Sequence, residues 1–149
     1  FELMRYMATE DSSSLSLVES WFEHSPLLEL IKSLVGQKAI VIVTSDHGSI
    51  RINNPVRIKG DRDTSVNLRF KSGRNLEYNP RDVFSVRNPG DIFLPKITIT
   101  SSFVFCRQND FFVYPNNYNQ YVNYYRNTIQ HGGISMEEML VPYAVLQPK

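Results

Sequence analysis

Lys38-Ala39-Ile40-Val41-Ile42-Val43-Thr44-Ser45-Asp46-His47-Gly48 joins an apolar run to a short polar corner. A β-branched apolar run from Ile40 to Val43 stops at a polar, charged and glycine-bearing corner. A continuous run of this kind predicts a strand buried on both faces, as in a parallel sheet covered by helices. Its first charge comes where the strand should emerge, at the carboxyl end, and that is where open α/β sheets bind ligands. Asp46 and His47 would point to opposite faces of a regular strand. Gly48 lets the chain turn, so both side chains can aim at one point. A carboxylate and an imidazole converging there read either as a turn feature or as half of a metal site.

Upstream of this run, Ser25-Pro26 opens a helix, serine as cap and proline in the first turn. Leu27, Leu28, Leu30, Ile31, Leu34 and Val35 give it a broad apolar face, and Gly36 is expected as its left-handed cap. Leu15, Val18, Trp21 and Phe22 repeat at helical spacing before it, and Phe1 to Thr9 reads as the tail of an earlier helix. A helix followed closely by a buried strand is the αβ half of a βαβ unit, with its first strand expected before Phe1.

Beyond Gly48 the chain turns basic: Arg51, Arg57, Lys59, Arg62, Arg69, Lys71 and Arg74, interrupted by Asp61 and Asp63. Residues 60–70 read as a long ordered loop. Its cations form either a solvated surface or a set of donors for phosphate oxygens. Residues 81–95, punctuated by Pro80, Pro89-Gly90 and Pro95, read as irregular. Lys96 to Arg107 is a strand signal, Gln108-Asn109-Asp110 a turn, and Phe111 to Tyr114 the return of a hairpin. Tyr118, Tyr121, Val122, Tyr125 and Ile129 mark one face of a helix. His131 then sits on Gly132-Gly133, ahead of a short helix announced by the capping box Ser135-x-x-Glu138 and limited by Pro142. Tyr143 to Leu146 reads as a last strand.

The totals narrow the classes. With 149 residues, 42% of them apolar, one domain with a real core is the expectation. A net charge of +1 gives no global field to recruit nucleic acid or a membrane surface. Cys106, the single cysteine, excludes an internal disulfide, fits a reducing cytoplasm and lies in an apolar run that reads as core. No segment is apolar enough for long enough to span a bilayer. The chain begins with Phe1 rather than Met and reads as a piece of a longer polypeptide.

Asp46-His47-Gly48, followed much later by His131-Gly132-Gly133-x-Ser135-x-Glu137-Glu138 and Val141-Pro142, resembles the alkaline phosphatase superfamily, and more specifically the PglZ domain. Trp21-Phe22-x-His24-Ser25-Pro26-Leu27-Leu28 and Gly60-Asp61-Arg62-x-Thr64-Ser65-x-Asn67-Leu68-Arg69 resemble PglZ domains at the carboxyl end of PorX-type response regulators. The resemblance implies an α/β fold with a partial alkaline phosphatase-like sheet flanked by helices and an antiparallel hairpin. Residues 1–149 would be the carboxyl-terminal part of one such domain.

It implies a two-zinc phosphodiesterase or phosphatase, the output domain of a two-component response regulator in the cytoplasm. Asp46 and His47 correspond to ligands of one metal, and His131 to a ligand of the other. Arg62, Asn67 and Arg69 are the candidates for holding a phosphate ester or nucleotide substrate. The nucleophile and the other ligands are expected upstream, so this piece would hold half a site and be inactive alone. Implied partners are a receiver domain upstream in the same polypeptide and, left open, a second copy of the chain. The alternative is a non-catalytic signalling or interaction module, with a structural or vestigial metal site and with residues 114–127 as a contact surface.

Overall fold

A computed structural model describes residues 11–96, 98 and 100–148. The helix tail expected over Phe1 to Thr9 lies outside them. The chain divides into two compact units, residues 46–141 and the segments on either side of them.

In the flanking unit, α1 (Asp11–Glu23) is followed by α2 (Pro26–Val35). Ser25 caps α2 as expected, its hydroxyl accepting from Leu28 N at 3.4 Å. Gly36 departs from expectation: its φ of −66° is right-handed, and Lys38, at φ +53°, takes the left-handed step instead. Strand β1 (Val41–Thr44) pairs antiparallel with β10 (Tyr143–Leu146), from Val41 opposite Leu146 to Thr44 opposite Tyr143. The two form a two-stranded sheet. The doubly buried parallel strand expected over 40–43 is therefore corrected. A two-stranded ribbon leaves its faces open among the described residues, and Ile42 and Val43 stay 54% and 44% exposed.

The doubly buried pattern is realised further along, in the unit of residues 46–141. Strand β7 (Ser102–Cys106) sends Val104 and Cys106 into one core cluster and Phe103 and Phe105 into another. Strand β8 (Asp110–Val113) sends Phe112 into the first cluster, while Phe111 and Val113 join Ile52 and Val122 in a third. This two-residue alternation is what a strand covered on both faces requires.

β7 and β8 do not form the expected hairpin. β7 lies between β4 (Phe70–Gly73) and β6 (Val83–Val86), antiparallel to both. With both edges taken it has no ladder to offer β8, which pairs parallel with β3 (Asn54–Lys59). Antiparallel pairing is thus placed elsewhere, and β6 is a strand where irregular chain was expected. β3 is central in its sheet, with β5 (Glu77–Tyr78) on its other side. Pro55 is tolerated there because β5 reaches only Ile58 and Lys59.

The polar segment 60–69 is an ordered loop, with Thr64 and Arg69 buried. Helix α3 (Tyr118–Tyr125) buries Val122 and packs Tyr118 and Tyr125 against the third cluster. It stops before Ile129, which was expected on the same helical face. Asn127 turns left-handed at φ +65° and donates its N–H to Ile52 O at 2.7 Å. Ile129 thereby enters β9 (Ile129–Gln130), which pairs with β2 (Ile50–Arg51). The short helix α4 (Met136–Met139) follows Ser135 as the capping box predicts.

Candidate metal centre

The β2–β9 pair brings two distant glycine turns together. Ile50 faces Gln130 across the ladder, so the residues before β2 and after β9 leave the same end of it. His47 and His131 meet there with their rings stacked, centroids 3.9 Å apart and planes 10° from parallel. Two residues 84 positions apart in the sequence are thus in direct contact.

Each turn is held by a close backbone approach. Gly48 N donates to Glu138 O at 2.8 Å, and a Cβ on Gly48 would lie 1.9 Å from Glu137 O. Only glycine allows that approach. Gly132 adopts φ +100°, and a Cβ there would meet Asn67 Nδ2 at 2.6 Å. Asn67 is a brace between two loops. Its amide donates to His131 O at 3.3 Å, and its Oδ1 accepts from Arg69 N at 2.7 Å and Phe70 N at 3.2 Å.

His47 is oriented by its own turn. Its Nδ1 lies 2.7 Å from Gly48 O. A carbonyl can only accept, so Nδ1 carries the proton, and Nε2 is the nitrogen left to serve a metal. That nitrogen is 3.7 Å from Asp46 Oδ1, too long for a hydrogen bond. Two donors each about 2.0–2.1 Å from a tetrahedral zinc lie roughly 3.4 Å apart. The Asp46–His47 pair is thus close to the spacing of two ligands on one ion, and the donor types suit zinc. Asp46 Oδ1 also accepts from His47 N at 3.0 Å. Its carboxylate is 88% exposed, so the pair opens to solvent. Among the described residues no group of three or more His, Cys, Asp or Glu side chains is gathered to hold a metal. Carboxylate and imidazole are donor types that zinc accepts, and the described residues bring together fewer of them than a closed site needs.

Arg69, expected to face a substrate phosphate, has a different position. It is fully buried. Its Nε and Nη2 donate to the two carboxylate oxygens of Glu138 at 2.9 and 2.8 Å. Nη2 also reaches Gln108 O at 2.7 Å, and Nη1 bonds Asp110 O. A guanidinium so engaged is a cross-brace. Arg62 lies exposed on the 60–69 loop.

The residue that sequence reasoning missed is Glu138, read there only as part of a cap. Its carboxylate accepts from Arg69, from Gly133 N at 2.9 Å and from Ser135 N at 3.2 Å, and so fixes the turn that carries His131. Burial alone would raise its pKa, but the bonds from Arg69, Gly133 and Ser135 outweigh burial and hold it below the ordinary value. The sequence holds no local cue to this pairing, because in an alternating Leu68-Arg69-Phe70 triplet the arginine reads as facing away from the apolar pair.

The chain is a mixed α/β protein with two histidines gathered on glycine turns. The family described as the BREX system PglZ alkaline phosphatase-like domain matches residues 7–146. The chain belongs to this PglZ family, and its fold is α/β and partial alkaline phosphatase-like. No curated protein matches it. Among the described residues no helix is long and apolar enough to cross a membrane.

Proposed function

We propose that the chain is the carboxyl-terminal part of a zinc-dependent phosphoric ester hydrolase domain. The supporting observation is the His47–His131 stack, with Asp46 beside His47 Nε2. Asp46 and His47 would hold one ion and His131 would contribute to a second, with the remaining ligands and the nucleophile supplied by the rest of the domain. A pair of zinc ions would activate a nucleophile and stabilise the leaving oxygen of an in-line displacement.

This chain's own residues orient the ligands. Gly48 O fixes the His47 tautomer, and Asn67 and Glu138 hold the His131 turn. Arg62, exposed on its loop, remains the candidate for the substrate phosphate, and Asn67 serves it by positioning His131. In the intact polypeptide the domain would be the cytoplasmic output of a response regulator, downstream of a receiver domain. The test is hydrolysis of a chromogenic phosphodiester by the intact polypeptide. Asp46→Ala should abolish turnover while leaving the circular dichroism spectrum unchanged. Full activity in that variant overturns the assignment.

A second reading, an interaction module working through a partner or a second copy, draws on Tyr121 and Tyr124 of α3, which are 43% and 65% exposed. A partner captured equally well by the Asp46→Ala and His131→Ala variants, with no hydrolysis by the intact protein, would favour it.

A further inference from the structure

A second feature lies beside the guanidinium of the same Arg69. Its guanidinium grips the carbonyls of Gln108 and Asp110, and this β7–β8 turn forms one wall of an open cleft of about 760 Å³. Gln108 takes a left-handed conformation in this turn, at φ +40°. Three arginines from separate segments line the cleft: Arg57 on β3, Arg81 between β5 and β6, and Arg107 at the end of β7. None of the three is in an ion pair among the described residues. By contrast, Lys32, Lys59 and Arg69 each have a carboxylate within 3.0 Å.

Arg57 is pre-oriented, its guanidinium 4.6 Å from the centre of the Tyr118 ring. Stacking on one face leaves the edge N–H groups free to donate. Two acids, Asp82 and Asp110, share the lining, so three guanidiniums face two carboxylates and one positive charge is left over. Asp82 is turned toward Asn79, accepting from its Nδ2 at 2.9 Å. The two carboxylates offset the arginines only in part, and none of the three guanidiniums has one within ion-pair distance, so an anion seated among them completes the balance.

We propose that this cleft binds the diphosphate group of a small ligand through Arg57, Arg81 and Arg107. Guanidinium forks match phosphate oxygens, and a diphosphate offers enough oxygens for several forks at once. A monoanion would gain little over the acids already present. The source is either inorganic pyrophosphate or a nucleoside diphosphate, whose hydroxyl groups Asp82 and Asp110 could accept from. The inference is independent of the metal centre, because none of the lining residues belongs to it.

The test is calorimetric titration of this chain with pyrophosphate, in a chelator and at about 0.15 M salt, where long-range attraction is screened within roughly 8 Å. Saturable binding is expected. Arg57→Gln and Arg107→Gln should each weaken it about ten- to a hundredfold, the loss of one or two charge-assisted bonds. His131→Ala should leave it unchanged. Tighter binding of ADP than of pyrophosphate identifies a nucleotide ligand, and equal binding identifies the diphosphate alone. No saturable binding, binding unaffected by both arginine substitutions, or binding lost in His131→Ala overturns the proposal. The three arginines are exposed, so the variants should fold.

Discussion

Glu138→Ala tests most sharply how the His131 turn is held. The carboxylate is 1% exposed and faces a guanidinium that is fully buried. Removing it leaves an uncompensated buried charge on Arg69, and Gly133 N and Ser135 N lose their acceptor. Breaking one partner of a buried ion pair costs about 3–5 kcal/mol. With a urea m-value of about 1–3 kcal/mol/M for a chain of this size, the unfolding midpoint should fall by roughly 2 M.

Glu138→Gln keeps the shape but not the charge, and should fall between the variant and the wild type. The pH dependence carries a second signature. A carboxyl whose folded pKa is depressed contributes stability above its unfolded pKa of about 4.3 and loses it as pH falls through the folded value. The wild type should therefore lose stability in that acid window, and Glu138→Gln should lose correspondingly less. An unfolding free energy for Glu138→Ala within about 1 kcal/mol of wild type, by the same urea titration, would refute the cross-brace.

Other outcomes follow from the same geometry. Burial pushes Lys71 down to about 8, with its ammonium donating to Ser65 O at 2.9 Å and lying 4.9 Å from the Tyr114 ring centre. Folding is thus penalised while the lysine is charged, and the penalty fades between pH 8 and the unfolded value of about 10.4. The stability of wild type relative to Lys71→Met should rise across that window by up to about 3 kcal/mol, and a flat difference would contradict the burial argument. The comparison must be relative, because burial raises the Cys106 thiol and the Tyr114 hydroxyl, and those groups lose stability as pH rises.

Gly132→Ala, strained at φ +100° and crowded by Asn67, should destabilise by about 1–3 kcal/mol and shift the NMR resonances of both histidine rings. Unchanged ring resonances would separate the turn from the stack. Gly48→Ala, against a backbone carbonyl that cannot swing away, should be at least as damaging in the same assay.

The sequence made the short-range features legible. Ser25, the capping box at Ser135 and the last strand at 143–146 lie where their local chemistry puts them, because each depends on residues a few positions apart. The pairing of strands was not legible. The runs at 40–43 and 103–106 look alike on paper, yet one is half exposed in a ribbon and the other is enclosed. What separates them is how many neighbours each strand acquires, and those neighbours come from far along the chain. Arg69 shows the same limit at a single residue. Its basic surroundings suggested an outward-facing donor, and only the fold brings Glu138, 69 positions away, to its guanidinium. Asp46, His47 and His131 were legible as candidates because glycines mark the turns that carry them. Their contact depended on the β2–β9 ladder, which is too short to announce itself.

The most direct measurement of the proposed metal centre is zinc content by elemental analysis of the protein extended upstream to include the rest of the domain. The expected result is two ions per chain, lowered by Asp46→Ala and lowered independently by His131→Ala, with both variants folded. An extended protein that carries no zinc, or keeps its full zinc content in both variants, would contradict the assignment of these residues as ligands and leave the stacked histidines as architecture alone.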